Sequence, residues 1–315
     1  MHTTAPADQA SRLRALVGEI VTAGPQVFTA PLRTESPPAP PAPAGPKAAV
    51  IALASGKGGV GKTNLAVNLA VAFAQRRQRV VLLDADLGLG NADVICGLNP
   101  RLNLAHRLSG EAPLSDVILD APAGFRLVPG ASGVASMADL PAHRRDDLLR
   151  DLVHLESGCD LLILDCGAGI GRSVLTFLAA SESALIVTTP EPTAVTDAYA
   201  LIKCLRAGLA PSDAPTISLV VNQVRDHAEA MSVHARIEQV CSRFLGFSPA
   251  LAGGIRTDPA LPAAVRERTP LLLHAPRSRA SEDVRVVANY AMGLCGLTPA
   301  NAARPKGLVA RLLRF

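Results

Sequence analysis

The stretch SGKGGVGKTN (residues 55–64) decides the fold of this chain. It fits the pattern G-x-x-x-x-G-K-[ST], which ends here at Lys62 and Thr63. The apolar run at residues 50–54 is typical of a buried strand, and apolar residues recur at helical spacing over residues 65–75. Strand, glycine loop and helix in this order point backbone N–H groups and a helix N-terminus at a polyphosphate. The stretch therefore predicts a phosphate-binding loop, and a plain glycine-rich turn is the weaker alternative.

The chemistry of the loop predicts how it holds a nucleotide. Glycines let the backbone approach the phosphates and adopt unusual dihedral angles. Lys62 is expected to reach the β- and γ-phosphates, and the Thr63 hydroxyl is expected to bind Mg²⁺. The loop residues expected to bind the nucleotide are Gly56, Lys57, Gly58, Gly59, Val60, Gly61, Lys62, Thr63 and Asn64.

Aspartates follow two apolar strands downstream of the loop. Residues 79–83 lead to Asp84 and Asp86, and residues 160–164 lead to Asp165. Carboxylates at the C-terminal ends of strands face the crevice where α/β sheets bind ligands. Asp165 is therefore expected in the Mg²⁺ shell, and Asp84 and Asp86 are expected near the metal or an attacking water. A plain turn is the alternative for the first two aspartates.

Further apolar strands alternate with helices along the rest of the chain. The expected strands are residues 125–129, 184–188, 217–221 and 249–255, and a glycine-bearing loop is expected at residues 166–170. This alternation predicts one α/β domain over residues 47–300, with a mostly parallel twisted sheet and helices on both faces. Asn222 follows one of the strands, where its side-chain amide can bind the edge of an adenine.

Two segments outside this domain have their own patterns. Residues 1–30 contain a short helix candidate, and residues 31–46 carry seven prolines in sixteen positions, which predicts an extended spacer. A helix on such a spacer is expected to dock on a partner, with a disordered tail as the alternative. Residues 301–315 end in a basic amphipathic helix, which predicts membrane-surface binding or, alternatively, packing back onto the domain. The residues expected to bind the membrane are Leu308, Val309, Leu312, Leu313 and Phe315.

The composition argues against several other classes of protein. A formal charge of +4 does not argue for a nucleic-acid-binding protein, and no apolar run approaches the roughly 18 residues of a membrane-spanning helix. The six cysteines form no C-x-x-C pair, which suits buried, reduced thiols. No secretory signal is visible, so we expect a cytoplasmic protein.

A second lysine, Lys57, directly follows the first glycine of the loop. The resulting KGGVGKT resembles the deviant Walker A loop of the MinD/ParA family of dimerising ATPases. The resemblance implies a three-layer, SIMIBI-type P-loop NTPase fold, ATP and Mg²⁺ as cofactors, and a homodimer in ATP. It also implies that Lys57 reaches the partner's ATP, that Asp86 activates the water and that Asp84 supports the loop lysine. The implied adenine contacts are Asn222 and Asp258.

Other segments narrow the resemblance to the FlhG branch of this family, also called FleN or YlxH. They are residues 62–64, 84–89, 131–134 and 189–199. FlhG proteins control flagellar number and placement, and their N-terminal D-Q-A helix stimulates the SRP-type GTPase FlhF. Residues 8–14 resemble that helix, which makes Gln9 the implied GTPase-activating residue. The resemblance further implies flagellar switch and C-ring partners and reversible binding at the inner face of the cytoplasmic membrane.

Three other functions compete with that of an ATP-dependent switch. A ParA-type DNA-partitioning ATPase would favour a basic surface patch over an amphipathic tail, and we do not expect DNA as a partner. An iron–sulfur scaffold of the same fold would need paired cysteines. An adaptor without hydrolysis would not need an intact set of catalytic residues.

The sequence and the resemblance together define the expected active site. The expected catalytic residues are Lys57, Lys62 and Asp86, and the expected metal ligands are Thr63, Asp84 and Asp165.

Overall fold

An eight-stranded sheet lies at the centre of the residues that the computed structural model describes, which are 48–86, 90–130, 142–296 and 308–312. The strands are β1 (Ala49–Ser55), β2 (Val80–Ala85), β3 (Leu119–Asp120), β4 (Arg126–Val128), β5 (Leu161–Ala168), β6 (Ser183–Thr188), β7 (Thr216–Val224) and β8 (Ala250–Arg256). Their spatial order is β3-β4-β2-β5-β1-β6-β7-β8, and β3 and β4 are antiparallel whereas the other neighbours are parallel. The predicted mostly parallel sheet is confirmed.

Helices connect and cover these strands. They are α1 (Lys62–Ala74), α2 (Ala92–Ile95), α3 (Leu104–Ser109), α4 (Leu114–Val117), α5 (Ala142–Ser157), α6 (Arg172–Ala180), α7 (Pro192–Ala207), α8 (His227–Leu245), α9 (Ala260–Arg266), α10 (Leu271–His274), α11 (Arg279–Leu294) and α12 (Leu308–Leu312). The predicted N-terminal helix with Gln9 and the proline-rich spacer lie outside the described residues, as do Leu313 and Phe315.

Both faces of the sheet carry a helical layer, as the side chains of β1 illustrate. Val50, Ala52 and Ala54 belong to one buried cluster with residues of α5, α6, α7 and α8. Ile51 and Leu53 belong to a second buried cluster with residues of α1 and α11. Successive strand residues point to opposite faces, so a strand covered on both sides is apolar at every position. All six cysteines are free and four of them are buried, in line with the prediction of reduced thiols.

The strand order brings the ends of β1, β2 and β5 together. β1 pairs with β5 on one side and with β6 on the other, and β2 pairs with β5. In this register Asp84 of β2 lies directly opposite Asp165 of β5. The glycine loop follows β1 at the same edge, which is where open α/β sheets bind their ligands.

β5 extends further than the sequence predicted. The loop expected at residues 166–170 is wrong in its first part, because Cys166 pairs with Ala85 of β2 and Ala168 pairs with Ser55 of β1. These neighbours on both sides keep the backbone extended through Ala168. Pairing between strands distant in sequence sets this boundary, and no local pattern shows it.

The carboxyl half of the domain also differs in detail from the prediction. β7 continues beyond Asn222 to Val224, which pairs with Arg256 of β8. Asn222 therefore lies within the strand rather than after it. The long helices α8 and α11 were not predicted, although their buried residues recur at helical spacing.

Candidate nucleotide-binding site

Three glycines shape the loop between β1 and α1. Gly59 and Gly61 have φ angles of 81° and 85°, in the left-handed region that favours glycine. A Cβ atom on Gly56 would lie 2.2 Å from the backbone carbon of Asp197 in α7, so no side chain fits there. α1 begins directly after the loop at Lys62, which places the unpaired N–H groups of its first turn at the loop.

Gly56→Ala is expected to lower the free energy of unfolding by about 1–3 kcal/mol, because the loop or α7 has to move to admit the methyl group. Gly58→Ala is the matched control, since a Cβ atom there meets no other atom within 4 Å. Chemical denaturation of both variants measures the difference. Equal stabilities would contradict the close packing of the loop on α7.

The loop lysine forms a buried ion pair beneath the glycines. Lys62 Nζ lies 2.6 Å from Asp165 Oδ1, and both side chains are almost fully buried. Burial raises the pKa of Asp165, and the charge of Lys62 opposes that rise. The second oxygen of this carboxylate, Oδ2, is buried and has no hydrogen-bond partner among the described residues. Lys62 Nζ also lies 3.5 Å from the Thr63 hydroxyl, so two of the three residues expected to bind Mg²⁺, Thr63 and Asp165, lie around the same lysine.

The Asp84 carboxylate accepts hydrogen bonds from two backbone N–H groups that follow β2 in the chain. Its Oδ1 accepts the backbone N–H of Asp86, and its Oδ2 accepts that of Ala92, both at 3.1 Å. Burial, followed by the negative charge of Asp165, raises the pKa of Asp84 to about 7. Both oxygens are engaged by the backbone, so binding Mg²⁺ directly would require exchange of these hydrogen bonds. Asp84 as a metal ligand stays a prediction, and the geometry favours a structural role in which Asp84 holds the backbone at Asp86 and Ala92.

Asp86 lies at the same edge of the sheet. Its Oδ1 is 3.4 Å from the position that a Cβ atom on Gly167 would take, so Asp86 packs beside the end of β5. Its negative charge also raises the pKa of Asp165. The structure thus brings Asp86 and Asp165 together with the loop lysine, as the sequence predicted from three separate segments.

Asn222 and Gln223 hold the glycine loop from the side of β7. Asn222 Nδ2 donates to the carbonyl oxygen of Val60 at 2.8 Å, and its Oδ1 accepts the backbone N–H of Gln223. Gln223 Nε2 donates to the carbonyl oxygen of Gly59 at 3.3 Å. An amide nitrogen carries two hydrogens, so Asn222 keeps one for the predicted adenine contact. Gln223 was not expected at the site from the sequence; its backbone adopts a positive φ of 59°.

Lys57 is engaged with its own chain. Its Nζ lies 2.8 Å from both carboxylate oxygens of Glu191 and 3.1 Å from Thr193 Oγ1. Both partners lie at the start of α7. Neither Glu191 nor Thr193 was expected at the site from the sequence, in which their segment only carries the family resemblance.

This geometry agrees with a comparison to known protein families. A model of the CobQ/CobB/MinD/ParA nucleotide binding domain matches residues 51–271. The chain belongs to this family. It is a MinD/ParA-type P-loop ATPase, and the predicted family and enzyme class are confirmed.

Individual relatives agree with the assignment. Antiactivator FleN of Pseudomonas aeruginosa is 41% identical over 239 residues, which cover 76% of this chain and 84% of that protein. Flagellum site-determining protein YlxH of Helicobacter pylori is 36% identical over 239 residues, which cover 76% and 80%. The cell division ATPase MinD of Pyrococcus furiosus has a similar structure, with a TM-score of 0.63, 26% identity and coverage of 78% and 99%. The predicted resemblance of this MinD/ParA-type chain to FleN and YlxH is confirmed.

Asp258 joins two helices near the end of β8. Its Oδ1 accepts the backbone N–H of Ala260, and its Oδ2 accepts that of Ala280. Burial raises the pKa of Asp258, but the backbone donors outweigh it and the net shift is downward. The neighbouring Arg256 makes a bidentate ion pair with Asp283 of α11. In this MinD/ParA-type fold Asp258 therefore links the first residues of α9 and α11, and its contact with adenine stays a prediction.

The C-terminal helix α12 packs against the ATPase domain. Leu308 and Leu312 are buried in the same cluster as residues of α5 and α6. The backbone N–H of Leu308 donates to the buried carboxylate of Glu156, and Arg311 donates to the carbonyl oxygen of Ser181. The alternative of packing back onto the domain is therefore the arrangement in this structure. The side chains of Val309, Leu313 and Phe315 lie outside what is described.

Within the described residues, no helix combines the length and the apolar character that crossing a bilayer requires.

Proposed function

We propose that this chain is an ATP-dependent dimerising switch that regulates the number and placement of flagella. The observation that carries the proposal is the buried pair of Lys62 and Asp165 beneath a glycine loop that also carries Lys57. The similarity to FleN and to the flagellum site-determining protein YlxH supports the flagellar role.

The reaction is hydrolysis of ATP to ADP and phosphate, with Mg²⁺ as the metal. The donor set fits Mg²⁺, because Asp165 has an unpartnered buried oxygen and Thr63 supplies a hydroxyl beside it. When bound, the metal neutralises charge on the phosphate oxygens. Lys62 binds the phosphates, and Asp86 accepts a hydrogen bond from the attacking water and orients it. Lys57 of the partner subunit stabilises charge on the transferred group, as an arginine finger does.

ATP is proposed to convert a monomer into a dimer that holds its partners, and hydrolysis releases them. The proposed role of Lys57 is the reason, since a second loop cation that reaches a neighbour's phosphates would complete the site only when two copies meet. The proposed partners are the GTPase FlhF, flagellar switch or C-ring components and the inner face of the cytoplasmic membrane, with a cytoplasmic monomer as the resting form.

Membrane binding is proposed to require undocking of α12, because its apolar residues Leu308 and Leu312 are buried in the domain. Two copies of a short amphipathic helix in one dimer would bind by avidity. We expect the full-length chain to sediment with anionic vesicles in a slowly hydrolysed ATP analogue with Mg²⁺, and not in ADP.

Phe315→Glu is expected to lower the vesicle affinity of the ATP form about tenfold or more, because it removes one large apolar side chain from the bilayer surface. Phe315→Leu is the matched control and keeps most of the affinity. Equal sedimentation in ADP and in the ATP analogue would contradict nucleotide-controlled membrane binding.

The N-terminal segment is proposed to stimulate FlhF. A glutamine amide is suited to orienting the attacking water of a GTPase. We expect the full-length chain, or a peptide of residues 1–25, to raise the GTPase rate of FlhF from the same cell. Gln9→Ala is expected to abolish the stimulation, whereas Ser11→Ala keeps it. Stimulation by the Gln9→Ala variant equal to that of the unaltered chain would contradict this role.

A further inference from the structure

A ring of polar side chains holds Lys57 at the start of α7. Its Nζ is 2.8 Å from both oxygens of Glu191 and 3.1 Å from the Thr193 hydroxyl, and that hydroxyl donates to Glu191 Oε1 at 2.8 Å. Each of the three side chains thus contacts the other two. The Glu191 carboxyl group is ionised at neutral pH, since hydrogen bonds from Lys57 and then from Thr193 lower its pKa.

The carboxylate makes this position favourable for a cation. The N-terminus of a helix carries a partial positive charge, which by itself repels a lysine. Glu191 directly precedes α7 and supplies the compensating negative charge. The backbone of the loop is also fixed here, because Gly56 packs against Asp197 in the second turn of the same helix. The direction of the Lys57 side chain therefore depends on Glu191 and Thr193.

We propose that Glu191, assisted by Thr193, is a positioning residue that holds Lys57 on its own chain in the monomer and so sets how readily ATP assembles the dimer. The inference rests on the proposed role of Lys57 in the partner's site. A lysine that contacts two carboxylate oxygens and a hydroxyl of its own chain has to leave them before it reaches a second nucleotide.

The solvent exposure of the Lys57–Glu191 ion pair determines how strongly it can shift the dissociation constant of the dimer. The side chains of Lys57 and Glu191 are 32% and 55% exposed, and an ion pair so open to water is weak. Such a pair shifts an equilibrium by about two- to fivefold. A symmetrical dimer releases two lysines, so the dissociation constant of the dimer changes by the square of that factor. Glu191 thus adjusts dimerisation and does not block it.

The test is the dissociation constant of the dimer, measured on the full-length chain by sedimentation in a slowly hydrolysed ATP analogue with Mg²⁺. Glu191→Gln keeps the shape of the side chain and removes its charge, and is expected to tighten the dimer about tenfold. Thr193→Val is expected to tighten it by a smaller factor. Glu267→Gln is the matched control, because Glu267 is an exposed glutamate that contacts a different side chain, His274 Nδ1, at 3.2 Å, and the substitution is expected to change nothing.

Two further measurements separate this role from a merely structural one. In a Lys57→Ala background, Glu191→Gln is expected to leave the dissociation constant unchanged, because its effect acts through the lysine. Raising the salt concentration from about 0.05 M to about 0.5 M is expected to narrow the difference between the unaltered chain and Glu191→Gln, because salt screens exposed ion pairs.

The outcomes separate this proposal from the function on which it rests. If Glu191→Gln leaves the dissociation constant of the dimer unchanged or raises it, the proposal that Glu191 holds Lys57 in the monomer is overturned. Dimerisation that depends on Lys57 would still stand in that case. A chain that stays monomeric with the ATP analogue, or a Lys57→Ala variant that dimerises as well as the unaltered chain, would overturn the proposed function and this inference with it.

Discussion

Lys62→Ala is expected to abolish ATP hydrolysis and also to destabilise the folded chain by about 3–5 kcal/mol. The reason is the burial of its partner, because Asp165 is fully buried and loses its only cation within hydrogen-bond distance among the described residues. A carboxylate left unpaired in the interior carries most of the desolvation penalty alone. The loss of hydrolysis has a separate origin, since Lys62 is the cation proposed to bind the phosphates.

A double variant separates these two effects. Lys62→Met with Asp165→Asn replaces the buried pair by uncharged side chains of similar size, and is expected to regain most of the lost stability. It is not expected to regain hydrolysis. Urea denaturation and phosphate release measure the two properties independently. If Lys62→Ala is as stable as the unaltered chain, the claim that Lys62 compensates the buried charge of Asp165 is contradicted.

Asp86→Ala is expected to lower the rate of hydrolysis by about 10²–10⁴, because it removes the group proposed to orient the attacking water. ATP binding is expected to remain. The backbone N–H of residue 86, which bonds to Asp84, is unchanged by the substitution. The variant should therefore keep the local fold and stop at the ATP-bound stage.

Single-turnover phosphate release and the binding of a fluorescent ATP analogue check this expectation. Asp120→Ala is the matched control, because Asp120 is an exposed aspartate at the end of β3, the strand at the edge of the sheet. It is expected to change neither quantity. Hydrolysis by Asp86→Ala at the rate of the control would contradict the role of Asp86.

The central features of the site could be predicted from the sequence because each has a local signature. The glycine loop has a fixed spacing of residues, and its strand and helix have their own apolar patterns. Asp84 and Asp165 each end an apolar run, and the rule that ligands bind at the carboxyl edge of a parallel sheet places them together. Their direct pairing in the sheet agrees with that argument.

The contacts that adjust the site could not be predicted, because they join residues far apart in the chain. Lys57 and Glu191 are 134 positions apart, and Gln223 reaches the loop across 164 positions. The docking of α12 likewise depends on the buried carboxylate of Glu156, which lies in a helix whose sequence gives no sign of that partner. Amphipathic character alone fits both a membrane surface and the side of a domain.

The most direct test of the switch is the mass of the Asp86→Ala variant in solution, measured by light scattering with Mg²⁺ and either ATP or ADP. We expect a dimer in ATP and a monomer in ADP. Introducing Lys57→Ala into the same chain is expected to reduce the dimer in ATP. A monomer in both nucleotides, or a dimer in both, would contradict the claim that ATP assembles this protein.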